Sequence, residues 1–417
     1  MQHTNVIIIG GGLAGLHTAN RLKALNIPCI LLEAKDHLGG RIDSVSASNI
    51  EQEPSEFASQ FDHSHDMGPT WIFPHQYKIQ ALVKELGLKL FEQYAAGDVL
   101  FQAPNAAQPR QIAGAGAMQL FRLSGGMYQL VNSISKELDN PESQCQIKLD
   151  HCVSNIRRDK TTGTWTIYGH HQTQNSVESQ SSPYKYQAEL SRFNYSAQHL
   201  VLALPPRVIE RDLASRTWGS PLLNQRLTEV QTWMAAQAKF VATYPYPFWR
   251  DKGLSGQAFS QVGPMIEMHD ASAGENSSYG LFGFIGIPPG QRNQLSANQL
   301  KQACLDQLAF FYGEDAYNVT DCYVKDWAID PFCTTEQDIN EPSKHPEFNH
   351  HGLEYELTAL GLYLAGSEFA EQDAGYLEGA LHSADKAVSA IHDGLLNDGI
   401  INDGIIHDKP RTKVDSL

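Results

Sequence analysis

The sequence predicts an α/β protein in which a discontinuous, mostly parallel sheet domain is interrupted by an inserted α+β domain. Three observations predict it. An apolar run at residues 6–9 is followed at once by Gly10, Gly12 and Gly15 in G-x-G-x-x-G spacing. Leu13, Leu16, Leu22 and Leu25 then recur at helical spacing, and a second apolar run, Cys29–Leu32, ends in Glu33. Further strand-like runs lie far downstream, at 146–149, 153–157, 164–168, 199–204 and 362–365, on either side of a block with different texture.

Strand, glycine turn, helix, strand and acid, in that order, spell a Rossmann-type βαβ unit that binds a dinucleotide. Gly10 permits the tight turn, Gly12 lets backbone approach a pyrophosphate, and Gly15 lets helix pack on strand. Leu13 and Ala14 form the first helical turn, whose free N–H groups and positive dipole end face the phosphates. Glu33, followed by Ala34, lies where an acid accepts hydrogen bonds from a ribose, and its charge disfavours a 2′-phosphate and therefore NADP.

Composition narrows the function classes. The chain has 417 residues, is 41% hydrophobic and carries a formal net charge of −16. That balance argues against nucleic acid, which needs a basic patch to displace counterions. An acidic field would attract cationic small molecules, although it equally serves solubility alone. The six cysteines, Cys29, Cys145, Cys152, Cys304, Cys322 and Cys333, show no zinc spacing and read as mostly reduced thiols of a cytoplasmic protein. The first strand starts too near Met1 for a signal peptide, and no run is apolar enough to anchor the chain in a membrane.

In chain order, Gly39-Gly40-Arg41 is followed by a polar segment, 44–65, read as an irregular insertion, and then by Asp66-Met67-Gly68-Pro69-Thr70-Trp71. Ile79, Leu82, Val83 and Leu86 mark a helix face stopped by Gly87. Residues 95–117, rich in Ala, Gly, Gln and Pro, read as a crossing between domains. Ser124-Gly125-Gly126-Met127 opens a helix to Leu138, and 170–182 reads as a hairpin loop. Ser296 is a good N-cap for a helix carrying Leu300, Cys304, Leu308 and Phe311 on one face, closed by Gly313. Gly366-Ser367-Glu368 turns from a strand toward a last helix opened by Gly375-Tyr376. The nucleotide domain is thus expected at 1–75, 118–206 and 355–395, the substrate domain at 76–117 and 207–354, and a tail without chemistry at 396–417.

These ordered motifs resemble the flavin-containing amine oxidases, over most of the chain from Val6 to about Ile391. The likeness to the monoamine-oxidase branch rests chiefly on residues 253–265 and 375–380. The resemblance implies FAD. Glu33 would hold its ribose, Arg41 and the glycines its pyrophosphate, Val153 its adenine, and Gly366, Ser367 and Glu368 its ribityl and phosphate region. Pro69, Thr70, Trp71 and Trp327 would lie near the flavin ring, with Gly375 and Leu377 at its carbonyl side. Lys239, which interrupts the uncharged run 233–248, would support reaction of the reduced flavin with oxygen, whereas read alone it is a strand-edge lysine reaching to solvent. Tyr376 would form one wall of an aromatic cage for the amine, although a core aromatic is the commoner role for such a tyrosine.

The sequence departs from the family at the other wall. Monoamine oxidases read Gly-Cys-Tyr-Thr-Thr there, with the cysteine bonded to flavin, and this chain reads Pro331-Phe332-Cys333-Thr334-Thr335. With the threonines aligned, Cys333 takes the tyrosine's place, FAD is held without a thioether and half the cage is missing. Shifted by one residue, Cys333 becomes an attachment point. The implied reaction moves a hydride equivalent from the α-carbon of a primary or secondary amine to flavin N5, giving an imine and then aldehyde and ammonia, while oxygen is reduced to hydrogen peroxide. An amino-acid oxidase, a C–C desaturase and a FAD-binding maturation partner or scaffold are the alternatives. An arginine clamp from Arg207, Arg250 or Arg292 would favour the first of them. The scattered histidines, His345, His350 and His351 among them, receive no role.

Overall fold

The computed structural model describes residues 2–46, 64–114, 119–141, 143–171, 191–274 and 278–397. Strand β1 (Gln2–Ile9) runs through the middle of the first sheet, and its apolar half is buried on both faces, as a central parallel strand requires. Val6 and Ile8 enter one core cluster while Ile7 and Ile9 enter another, the alternation of a pleated strand. β1 pairs in parallel with β2 (Cys29–Leu32) on one side and with Arg192–Leu202 on the other. Cys145–Lys148 extends the sheet beyond β2, Leu362–Leu364 joins Arg192–Leu202, and His151–Arg158 and Trp165–His171 form an antiparallel meander at the other edge.

Helix α1 (Leu13–Ala24), helix Tyr128–Leu138 and the last helix, Leu377–Asn397, cover one face of this sheet. Leu16 and Leu22 share one buried core with Leu381 and Ile391 there, and each such buried side chain contributes about 1.5–3 kcal/mol. The packing of first helix on last brings the two ends of the described chain to one place.

A second sheet runs in the order Asp321–Asp326, Ala238–Tyr244, Tyr279–Ile285, Met265–Asp270, Leu254–Ser260, Asp98–Gln102 and Arg110–Ile112. Helix Ala297–Tyr312 buries Leu300, Cys304, Leu308 and Phe311 against it. Ser296 caps that helix in a full capping box with Gln299, and Gly313 ends it.

Several expectations need correction. Residues 95–117 are no linker, because two strands of the second sheet come from them. Their Ala/Gly/Pro content hides Val99 and Leu100, which are buried. The insertion 44–65 is not irregular at its ends, where Ser44–Ser46 pairs with Ser64–Asp66, and its middle lies outside the described residues. The hairpin expected around 170–182 joins two antiparallel strands, with 172–190 outside the described residues. The tail beyond 397 lies outside them as well. Among the cysteines, expected to be mostly reduced, one pair is bonded. Cys29 and Cys145 stand opposite each other on neighbouring parallel strands, with Cα atoms 4.5 Å apart, and form a disulfide, while the other four cysteines are in none. A separation of 116 residues hides that pairing from spacing arguments. Among the described residues no helix is long and apolar enough to cross a membrane.

Candidate active site

A cavity of about 440 Å³ opens where the C-terminal ends of β1 and β2 meet the second sheet, as expected of crevices beyond the carboxyl ends of parallel strands. Gly10, Gly12, Leu13, Ala14, Glu33, Ala34, Gly40, Arg41, Pro69, Thr70, Trp71, Val153, Gly366, Ser367, Glu368, Gly375 and Leu377 all line it. So do Lys239, Tyr376, Trp327 and Cys333. Gly15 does not line it. A Cβ at Gly15 would stand 2.0 Å from the carbonyl oxygen of Gly10, so this glycine lets α1 pack onto the end of β1.

One end has the features of a nucleotide cradle. Gly12 begins α1 with no side-chain cap, and no acid sits in the first turn, so the helix N–H groups remain for an anion. Gly12 bridges to Gly39, and a Cβ on Gly12 would meet no atom closer than 3.9 Å. Glu33 closes β2 and accepts from the N–H groups of Gly11 at 2.6 Å and Lys35 at 2.9 Å. Burial raises its carboxyl above the usual range, against the pull of those donors. An uncapped helix end, a glycine floor and a ribose-side acid fit the adenosine diphosphate half of FAD.

Arg41 reaches across this floor. Its guanidinium meets both oxygens of Glu368, at 2.6 and 2.9 Å, and donates to Ser367 Oγ and to the carbonyl of Trp233. Glu368 also accepts from the backbone N–H of Trp233. Gly375 has φ +84°, and a Cβ there would lie 2.7 Å from the Trp233 ring, so glycine is what lets that indole close on the start of the last helix.

The other end is aromatic. Tyr376 meets Phe73 edge-on at 5.7 Å and Trp233 at 6.4 Å between ring centroids. The exposed ring of His345 covers Trp233 at 4.5 Å and Tyr376 at 5.5 Å. Trp71 hydrogen-bonds Gln93 and packs against Phe282 and Phe284, and Trp327 donates from its indole to the carbonyl of Met67.

Lys239 is not a strand-edge lysine. Its strand, Ala238–Tyr244, lies between two others, and the side chain is buried, donating to the Gly68 carbonyl at 3.2 Å and to Thr70 Oγ1. Burial pushes its ammonium down to about 7.

Cys333 and Phe332 line the cavity, but Cys333 has the charges of the nucleotide end around it: Asp330, Lys35, Arg41 and Glu33. Lys35 ties this segment to the end of β2 through Asp330 at 2.5 Å. Burial pushes the Cys333 thiol up to about 12.

The three arginines considered for a carboxylate clamp do not line the cavity. Arg207 pairs with Asp338 and Glu341, Arg250 with Asp270, and Arg292 with Asp326. Trp233, Phe73, Phe284, Lys35 and His151 line it without having been expected. Trp233 opens the same uncharged run that singled out Lys239, so its signal was present. Phe73 and His151 come from loop and strand ends whose direction no local pattern gives.

Comparison with known proteins agrees with this arrangement. The flavin containing amine oxidoreductase family matches residues 13–107 and 109–392. A probable flavin-containing monoamine oxidase A of Dictyostelium discoideum is 23% identical, covering 94% of this chain and 98% of its own. An L-amino acid dehydrogenase of a Synechocystis strain is 22% identical over 92% of this chain and 94% of its own. Among solved structures, cyclohexylamine oxidase from Brevibacterium oxydans superposes with a TM-score of 0.68 at 17% identity, covering 94% of this chain and 99% of its own. With the family matched over nearly the whole chain and a cradle shaped for its nucleotide, the protein belongs to the flavin containing amine oxidoreductases and is a flavoprotein oxidoreductase with FAD as cofactor.

Proposed function

We propose that the protein is an oxidase of a primary or secondary amine whose carbon skeleton is apolar and bears no carboxylate, with oxygen as final acceptor. Gly10 to Ala14, Glu33, Arg41, Val153 and Gly366 to Glu368 would hold FAD without a covalent bond, and the cofactor would supply the two-electron acceptor for the C–H bond beside the amine nitrogen. Tyr376, Trp233 and Phe73 would orient the neutral amine and exclude water from the reacting carbon. Lys239, held on Gly68 and Thr70, would present its charge where reduced cofactor meets oxygen. The products would be hydrogen peroxide and an imine, which hydrolyses to an aldehyde with release of ammonia from a primary amine or of the smaller amine from a secondary one. In this reading residues 1–75, 118–206 and 355–395 serve the cofactor, and 76–117 and 207–354 serve the amine.

The observation that carries the choice of amine over amino acid is the placement of charge. Of the cations that line the cavity, Lys35 is paired with Asp330, Arg41 with Glu368, and Lys239 is turned onto the Gly68 carbonyl and Thr70 Oγ1; Arg207, Arg250 and Arg292 pair with acids outside it. A substrate carboxylate entering the aromatic end would lose its hydration with no guanidinium to replace it.

The test is anaerobic bleaching of the flavin by matched pairs, phenethylamine against phenylalanine and isoamylamine against leucine. Each amine is expected to bleach the flavin, and air to restore it. The paired amino acid is expected to react at least about a hundredfold more slowly, the equivalent of about 3 kcal/mol. Equal rates for a pair would overturn the choice of substrate. Retained FAD that no amine or amino acid bleaches would turn the reading toward a maturation partner or scaffold.

A further inference from the structure

Beside Lys239 lies a group of buried charges to which the reading above gives no task. Asp66 is 3% exposed, and Lys239 and Arg122 are each 2% exposed. Asp66 Oδ1 accepts from the backbone N–H of Met127 at 2.7 Å and from Ser44 Oγ at 3.0 Å, whereas Oδ2 is buried without a hydrogen-bond partner. Arg122 donates its terminal nitrogens to the carbonyls of Ser272 at 2.7 Å and Ala271 at 3.2 Å, and its Nε is likewise buried and unpartnered. Lys239 Nζ bonds Gly68, only two residues beyond Asp66, and stands 4.2 Å from the centroid of the Phe282 ring. His65 and Arg122 meet the same carbonyl, that of Ala271, so these segments are knit together around the lysine.

We propose that Asp66 is a positioning residue for Lys239: its carboxylate, opposed by Arg122, decides how much positive charge the lysine carries on the cavity wall. The proposal rests on the amine-oxidase reading of Lys239. A buried ammonium sheds its proton unless an opposite charge holds it. The other charges nearby are already committed. Lys325, in register opposite Lys239 on the adjoining strand, pairs with Asp43 at 2.8 Å and lies over Trp327. Asp270 is held by Arg250, and Glu267 by His269. Asp66 Oδ2 thus carries no hydrogen bond of its own, and while burial raises the Asp66 carboxyl, Arg122 and then Lys239 draw it back down. Burial pushes Lys239 down, Asp66 pulls it back up, and Arg122 adds to the fall.

The experiment follows the holoenzyme's reoxidation by oxygen in stopped flow from pH 5.5 to 9, beside anaerobic reduction by an amine. In the parent, reoxidation is expected to slow as pH rises through about 7. Asp66→Asn is expected to move that midpoint down by about one pH unit, a tenfold loss of proton affinity, without moving the profile of the anaerobic reduction in step. Ser44→Ala, which removes one donor from the carboxylate, is expected to move it the same way by less, and it serves as the test if Asp66→Asn yields no folded protein. An unmoved midpoint, or an equal displacement of both half-reactions as a merely structural role would give, overturns the proposal. Lys239→Met separates the two ideas. If that variant keeps the parent's reoxidation profile, the oxygen role of Lys239 falls. If its profile is flat while Asp66→Asn leaves the midpoint in place, only the role of Asp66 falls.

Discussion

Arg41 and Glu368, 327 residues apart in sequence, meet as a two-pronged ion pair across the floor of the cavity. Burial alone would raise the Glu368 carboxyl, but Arg41, the Trp233 N–H and Ser367 hold it below the ordinary range. A carboxyl lowered on folding stabilises the fold above its unfolded value, and the benefit is lost as pH falls through the folded one. Glu368→Gln keeps the shape but leaves the guanidinium without its counter-charge. Urea unfolding should show a loss of about 3 kcal/mol near neutral pH that shrinks toward pH 3, and FAD titration should show affinity at least about tenfold weaker. Unchanged stability and affinity would mean that the pair is incidental.

Lys239→Met should slow reoxidation by oxygen at least about tenfold, the scale expected for losing a charge in a site of low dielectric. The same substitution should stabilise the chain. A lysine lowered to about 7 by burial costs folding energy whenever pH lies below its unfolded value. The cost is full below about 7 and fades as pH rises toward 10.5. The stability gap between variant and parent should therefore be widest at pH 6 and narrow by pH 10, as thermal melts of both across that range would record.

Flavin should leave the protein on acid precipitation. The Cys333 thiol is pushed up to about 12 by burial and so is a poor nucleophile, and the charges around it belong to the nucleotide end. Yellow colour in the supernatant, equal for parent and Cys333→Ser, is the expected result. Flavin that stays with the precipitated parent chain and leaves the Cys333→Ser chain would identify a thioether instead.

Trp233→Ala should lower kcat/KM for an apolar amine about tenfold, because the indole lies 6.4 Å from the Tyr376 ring on the wall of the cavity. His345→Ala, at the exposed outer side of the same trio, should act mainly on KM. Equal kinetics for parent and both variants would remove this end of the cavity from substrate recognition.

Peptide mapping without reductant should recover Cys29 linked to Cys145. Reduction should cost about 4–5 kcal/mol of unfolding free energy, the chain-entropy value for a loop of this length. Two separate free thiols in the native protein would contradict the pairing.

The glycine-lined half of the cavity was legible in the sequence because local rules write it. A tight turn needs Gly10, helix packing needs Gly15, and Glu33 follows a buried run whose length fixes where the strand ends. The aromatic half was legible only in fragments. Lys239 stood out because a charge interrupts an apolar strand, but Trp233 and Phe73 face Tyr376 through the way two separate sheets dock. The cysteine pair shows the same limit: adjacency of Cys29 and Cys145 is a property of strand order, and strand order is decided by packing over more than a hundred residues. Residues 95–117 misled for the opposite reason, since their small and polar residues outnumber Val99 and Leu100, which carry the burial.

The packing of the first helix on the last imposes an order on biosynthesis. Gly10 to Ala14 emerge from the ribosome long before Gly366 to Glu368, Gly375 and Leu377, which stand on the same wall. Until they are released, Arg41 has no Glu368 to hold it and the aromatic end has no Tyr376. With the cofactor roles proposed for these residues, nascent chains arrested before Gly366 should emerge colourless however much FAD surrounds them.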